Sequence, residues 1–67
     1  MTLGHTIKQI RQSKKLNQRK LAQMAGITPA ALNHIELEKG TPSFDTLVKL
    51  AQVLDMKVWE ILKEADI

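Results

Sequence analysis

Apolar residues recur along this chain at helical intervals, and nowhere do they keep the two-residue alternation of a half-buried strand. Leu3, Ile7 and Ile10 fall at i, i+4 and i+7 and predict a first amphipathic helix from about Leu3 to Lys14. Asn17 is a capping residue for a second helix, which carries Leu21, Ala22, Met24 and Ala25 and stops at Gly26, as glycine commonly does at a helix C-terminus. Thr28 followed by Pro29 marks a third start, because proline's missing N–H would have had no intrahelical partner at the first helical position. This helix is expected to end near Leu37 or Glu38. Gly40-Thr41-Pro42 reads as a loop, and Ser43 as the cap of a fourth helix whose Phe44, Leu47, Val48, Ala51 and Leu54 form a broad inward face. Asp45 in its first turn favours the helix dipole. After Asp55 a fifth helix carries Val58, Trp59, Ile61 and Leu62. The expectation is an all-α, compact five-helix domain spanning 1–67, with no repeat, linker or low-complexity tract.

Length limits what this pattern can build. A chain of 67 residues buries only about 60% of the surface its unfolded form exposes. A core of this size rarely supplies more than about 3 to 5 kcal/mol of net stability, so self-association is expected. No apolar run approaches the roughly 18 residues needed to span a bilayer. Met1-Thr2-Leu3-Gly4-His5 has neither the basic nor the apolar region of a secretory signal, so a cytoplasmic location without membrane contact is expected. The absence of cysteine fits a reducing compartment and excludes thiol catalysis and cysteine-liganded zinc. His5 and His34 stand far apart with no further histidine, so no metal is expected. There is no glycine-rich phosphate loop, serine nucleophile elbow or tight carboxylate pair with a nearby base, so neither catalysis nor a cofactor is expected. With one Phe, one Trp and no Tyr, the chain also lacks the stacking platform of single-strand and RNA binders.

Charge is segregated. From Met1 to Ile35 the charged residues are Lys8, Arg11, Lys14, Lys15, Arg19 and Lys20, a balance of +6 without one acid; the remainder carries −3. Such asymmetry steers a polyanion to one face and leaves the other for protein contacts, although a merely solvated lysine face gives the same count. Arg19 and Lys20 lie in the first turn of the second helix, where a cation opposes the macrodipole at about 0.3 to 1 kcal/mol each at low salt. A DNA phosphate at that helix end, accepting from its amides and from Gln18 or Arg19, would offset this; solvated surface cations are the alternative.

Residues 17–36 make the function more specific. Ala22, Gly26, Leu32 and Ile35 fall where a helix-turn-helix needs a small contact residue, a left-handed turn and two inward anchors, and that motif places a helix in a DNA groove. On the exposed face of the third helix, positions 29, 30, 33 and 34 lie together. Pro29 and Ala30 offer apolar contact to a thymine methyl or plain helix propensity. Asn33 can bind adenine bidentately, and His34 can donate to a guanine edge or phosphate or stand idle.

The run from Ile7 to Leu62 resembles the lambda-repressor-like, Cro-type helix-turn-helix family. The matching pieces are Ile10-Arg11, Leu16-Asn17-Gln18 with Leu21-Ala22, Gly26-Ile27-Thr28, Leu32 through Ile35-Glu36, Gly40-Thr41-Pro42-Ser43, and Leu47 through Leu50-Ala51-Leu54. The resemblance implies a third helix that reads the major groove of double-stranded DNA, as a homodimer on a palindromic operator. The DNA-binding residues expected are Gln18, Arg19, Thr28, Pro29, Ala30, Asn33, His34 and Lys39. Pro29 and Ala30 depart from the glutamine, serine or arginine that the family often carries early in this helix. The resemblance also implies an ion pair between Arg11 and Glu36, whose alternative is an exposed arginine and a surface acid. It further implies a two-fold contact at the fifth helix through Met56, Val58 and Trp59, unless Trp59 simply closes the core. The function expected is transcriptional regulation, as a repressor; the rival is an antitoxin whose main partner is a toxin protein.

Overall fold

The computed structural model describes residues 2–66, which form five helices and no strand: α1 (Leu3–Ser13), α2 (Gln18–Ala25), α3 (Pro29–Glu36), α4 (Phe44–Val53) and α5 (Val58–Glu64). Side chains that compete for backbone donors set the starts. Thr2, Asn17, Thr28 and Ser43 each accept from the backbone N–H three residues on, satisfying one of the orphan donors at the starts of α1 to α4. At α5 the direction is reversed, with the Lys57 amide donating to Glu60 Oε1 at 2.8 Å.

All five helices end beside a residue in the left-handed region. Only one of these is glycine, Gly26 at φ 74°; the others are Lys15, Glu38, Asp55 and Asp66, at φ between 56° and 63°. A side chain at such an angle carries a steric penalty, so glycine signals one helix end in this sequence and is silent at four.

The core takes one fully buried large side chain from every helix: Ile7, Leu21, Leu32, Leu50 and Ile61, joined by Leu54 at the end of α4. Helix α2 packs on α3 and α4, while α1 packs on α3 and α5 and α4 on α5, closing the bundle. Two features correct the sequence reading of α4. Phe44 is 72% exposed, whereas Leu50, absent from the expected inward face, is completely buried. Phe44 is the first helical residue, and helical side chains lean toward the N-terminus, so it projects past the packed turns. Met24 is also exposed. Gly4 is required by a close approach: a Cβ there would collide with the backbone carbonyl of Ile35, so α1 lies directly against the end of α3. No helix among the described residues is long and apolar enough to cross a membrane.

Candidate nucleic-acid interface

The helix-turn-helix geometry follows from where α2 stops. Gly26 terminates it in the left-handed conformation, its successor's amide, on Ile27, donates to Ala22 O at 3.0 Å, and Thr28 restarts the chain as α3. Buried Ala22 leaves the room the two helices need to pack, and Leu32 and Ile35 drive α3 inward. What remains outward on α3 is Pro29, Ala30, Ala31, Asn33 and His34, all exposed. That face contains all four positions expected from helical spacing, with Ala31 as an addition.

A buried ion pair fixes the inner side of α3. Arg11 Nε donates to Glu36 Oε2 at 2.7 Å and a second guanidinium nitrogen to Oε1 at 3.0 Å, a bidentate fork, while the third donates to Leu16 O at 2.8 Å. Arg11 and Glu36 are 7% and 6% exposed, so the pair is shielded from solvent. Glu36 Oε1 also accepts from Gln18 Nε2 at 2.9 Å, and Gln18 Nε2 donates to Asn33 Oδ1 at 3.1 Å. The chain Arg11–Glu36–Gln18–Asn33 therefore leads from the core to the exposed face of α3. Among the described residues no buried side-chain nitrogen or oxygen lacks a partner.

The first turn of α2 faces the same side. Asn17 accepts from Lys20 N through Oδ1 at 2.7 Å, leaving the amides of Gln18 and Arg19 as the first-turn donors outside the cap. Arg19 lines a shallow cleft with Gln23, Ile27, Thr28 and Pro29. Ion pairs among the described residues join only Arg11 to Glu36 and Lys49 to Asp45; Lys8, Lys14, Lys15, Arg19 and Lys20 take part in none. Of the six cations in the acid-free segment, Arg11 is buried against Glu36 and Lys8 is half-buried, while Lys14, Lys15, Arg19 and Lys20 are exposed and unpaired.

The structure brings together most, though not all, of the residues singled out from sequence. Gln18, Arg19, Thr28, Pro29, Ala30, Asn33 and His34 belong to α2, α3 and the cap between them. Lys39 sits apart, lining a cleft with Thr2, Leu3, Gly4 and Ile35 beside the start of α1. At the opposite end, Trp59 is 59% exposed and therefore does not close the core; it lines a cleft with Met56, Glu60, Lys63 and Glu64. Met56 and Val58 are both half-buried and packed against the core, so of the three expected contact residues Trp59 alone is exposed. Sequence reading missed the contacts of Gln18 with Asn33 and Glu36. The available signal was an amide side chain at the start of α2 opposite another amide on α3.

Comparison with known proteins agrees with this geometry. The family model described as helix-turn-helix matches residues 7–58. The HTH-type transcriptional regulator PuuR of Escherichia coli is 35% identical over 63 residues, covering 94% of this chain and 34% of PuuR, so the chain spans about a third of that relative. Among solved structures, the biofilm regulator SinR in complex with DNA superposes with a TM-score of 0.86 at 37% identity, over 91% of this chain and 98% of that one. The P22 c2 repressor in complex with a synthetic operator gives a TM-score of 0.87 at 25% identity, over 96% and 97% of the two chains. A family match over most of the chain, on a fold built around the same two-helix turn, establishes that this protein belongs to the helix-turn-helix family, in its lambda-repressor-like branch.

Proposed function

We propose that this domain binds double-stranded DNA sequence-specifically, lays α3 in the major groove and regulates transcription as a repressor, without enzymatic activity. The observation that carries the reading is the outward face of α3 beside an unpaired basic first turn of α2. An α-helix fits the major groove, Asn33 supplies hydrogen bonds to a base edge, and Pro29 and Ala30 supply close apolar contact. The Gln18 and Arg19 amides and the Arg19 side chain then hold a phosphate, which removes the unfavourable interaction of Arg19 and Lys20 with the dipole of α2. SinR and the P22 c2 repressor, similar to this chain throughout most of their described lengths, are both described in complex with DNA. Regulator and repressor names among these relatives support this role over the antitoxin reading with its toxin partner. In this role the protein works in the cytoplasm with the DNA it controls.

The exposed Trp59, with half-buried Met56 and Val58 beside it, forms the contact between two copies of the domain. Such a dimer would set two α3 helices about 34 to 36 Å apart, one turn of duplex, matched to an inverted repeat. Selection of bound duplexes from a random pool tests both levels. An inverted repeat is the expected product; a single half-site would remove the dimer, and no enrichment would remove specific binding.

A further inference from the structure

Gln18 stands at the start of α2, where its side chain is within the basic turn facing a prospective phosphate, yet its donors are already committed. The amide nitrogen has two hydrogens and meets two acceptors: Asn33 Oδ1 at 3.1 Å and Glu36 Oε1 at 2.9 Å. Rotating the Gln18 amide by half a turn would set its oxygen against the Glu36 carboxylate and Asn33 Oδ1, three acceptors facing one another. Rotating the Asn33 amide would set its NH2 group against that of Gln18. Glu36 is itself immobilised by the Arg11 fork in the core. Both amide orientations are therefore dictated from the buried end of the network.

From this geometry we infer that Gln18 is a positioning residue for base readout, fixing Asn33 so that Nδ2 and the remaining lone pair of Oδ1 face the groove. That donor beside an acceptor matches N7 and the N6 amino group of adenine, and a freely rotating asparagine presents it only part of the time. Gln18 thus acts on sequence preference through Asn33, while the phosphate contact at this helix end belongs to backbone amides and Arg19. The inference rests on the domain reading duplex DNA through α3.

The test uses the duplex selected by the wild-type protein and a panel with each base pair of one half-site replaced in turn. Wild type is expected to lose about tenfold or more in affinity when the adenine read by Asn33 is replaced. Gln18→Met, which retains the length of the side chain and removes both donors, should lower that preference several-fold. Its loss of affinity should be largest on duplexes that carry the read adenine, and its salt slope, set by the backbone amides and Arg19, should not fall by a phosphate. Asn33→Ala should abolish the preference, and the double variant should behave as Asn33→Ala alone. Gln18→Ala gives the same comparison independently of how methionine packs, and thermal melting reports whether each variant is folded.

An equal loss of affinity on every duplex with a salt slope reduced by about one phosphate would make Gln18 a backbone ligand and overturn the inference. So would additive effects of Gln18→Met and Asn33→Ala on the preference, or a Gln18→Met protein that retains it in full. In those cases wild-type discrimination persists and duplex reading stands. A wild-type protein indifferent to every member of the panel would instead overturn the reading on which the inference rests.

Discussion

The two ends of this small bundle are held together by different physics. Around α1, α2 and α3, directional contacts are added to the apolar core of Ile7, Leu21 and Leu32: a bidentate ion pair, an amide bridge and a glycine against a carbonyl. Around α4 and α5 they are apolar, with Leu50, Leu54 and Ile61 buried and Trp59 left on the surface. Hydrogen-bond geometry fixes orientation, which reading a base edge demands; apolar area supplies association and tolerates small rotations. The proposed role, with one helix presented to DNA and another to a second copy, draws on both.

Five substitutions test this contrast, beginning with the largest effect. Arg11→Ala leaves the Glu36 carboxylate buried without its fork, and chemical denaturation should show a loss of about 3 to 5 kcal/mol. A loss below about 1 kcal/mol would mean that solvent already screens the pair and that the directional end is weaker than described. Gly4→Ala forces α1 away from Ile35, and melting should reveal about 1 to 3 kcal/mol of destabilisation from overpacking. Helix ends allow a matched comparison: Gly26→Ala introduces about 1 to 2 kcal/mol of backbone strain at an open site, whereas Asp55→Gly relieves strain and should stabilise by up to about 1 kcal/mol. Equal effects of the same sign would remove the argument from φ. Trp59→Ala should change monomer stability least, by less than about 1 kcal/mol, while sedimentation shows the dimer dissociated. Unchanged sedimentation would place the two-fold contact elsewhere.

Much of the fold was legible because the relevant signals are local. Asn17, Thr28-Pro29 and Ser43 act on amides within one turn, and Leu3, Ile7 and Ile10 need only helical period to share a face. Phe44 escaped that logic because its register with Leu47 says inward while its place in the first turn says beyond the neighbouring helices. Gly4 escaped because its role depends on Ile35, on another helix. The outward face of α3 was readable from period alone, but the orientation of Asn33 was not. It depends on Gln18, which lies 15 residues before Asn33 and 18 before Glu36, and on Arg11 beyond them. Lys39 is expected among the DNA-binding residues from the resemblance, and the turn after α3 carries it toward the start of α1.

The central claim, that the outward face of α3 is the surface meeting DNA, is tested most directly by following backbone amide resonances during titration with the selected duplex. The largest shifts should fall at Gln18, Arg19 and residues 28–34, with the amides around Trp59 and Lys63 unmoved by DNA at constant dimer population. Shifts concentrated on α5, with α3 unchanged, would contradict the account.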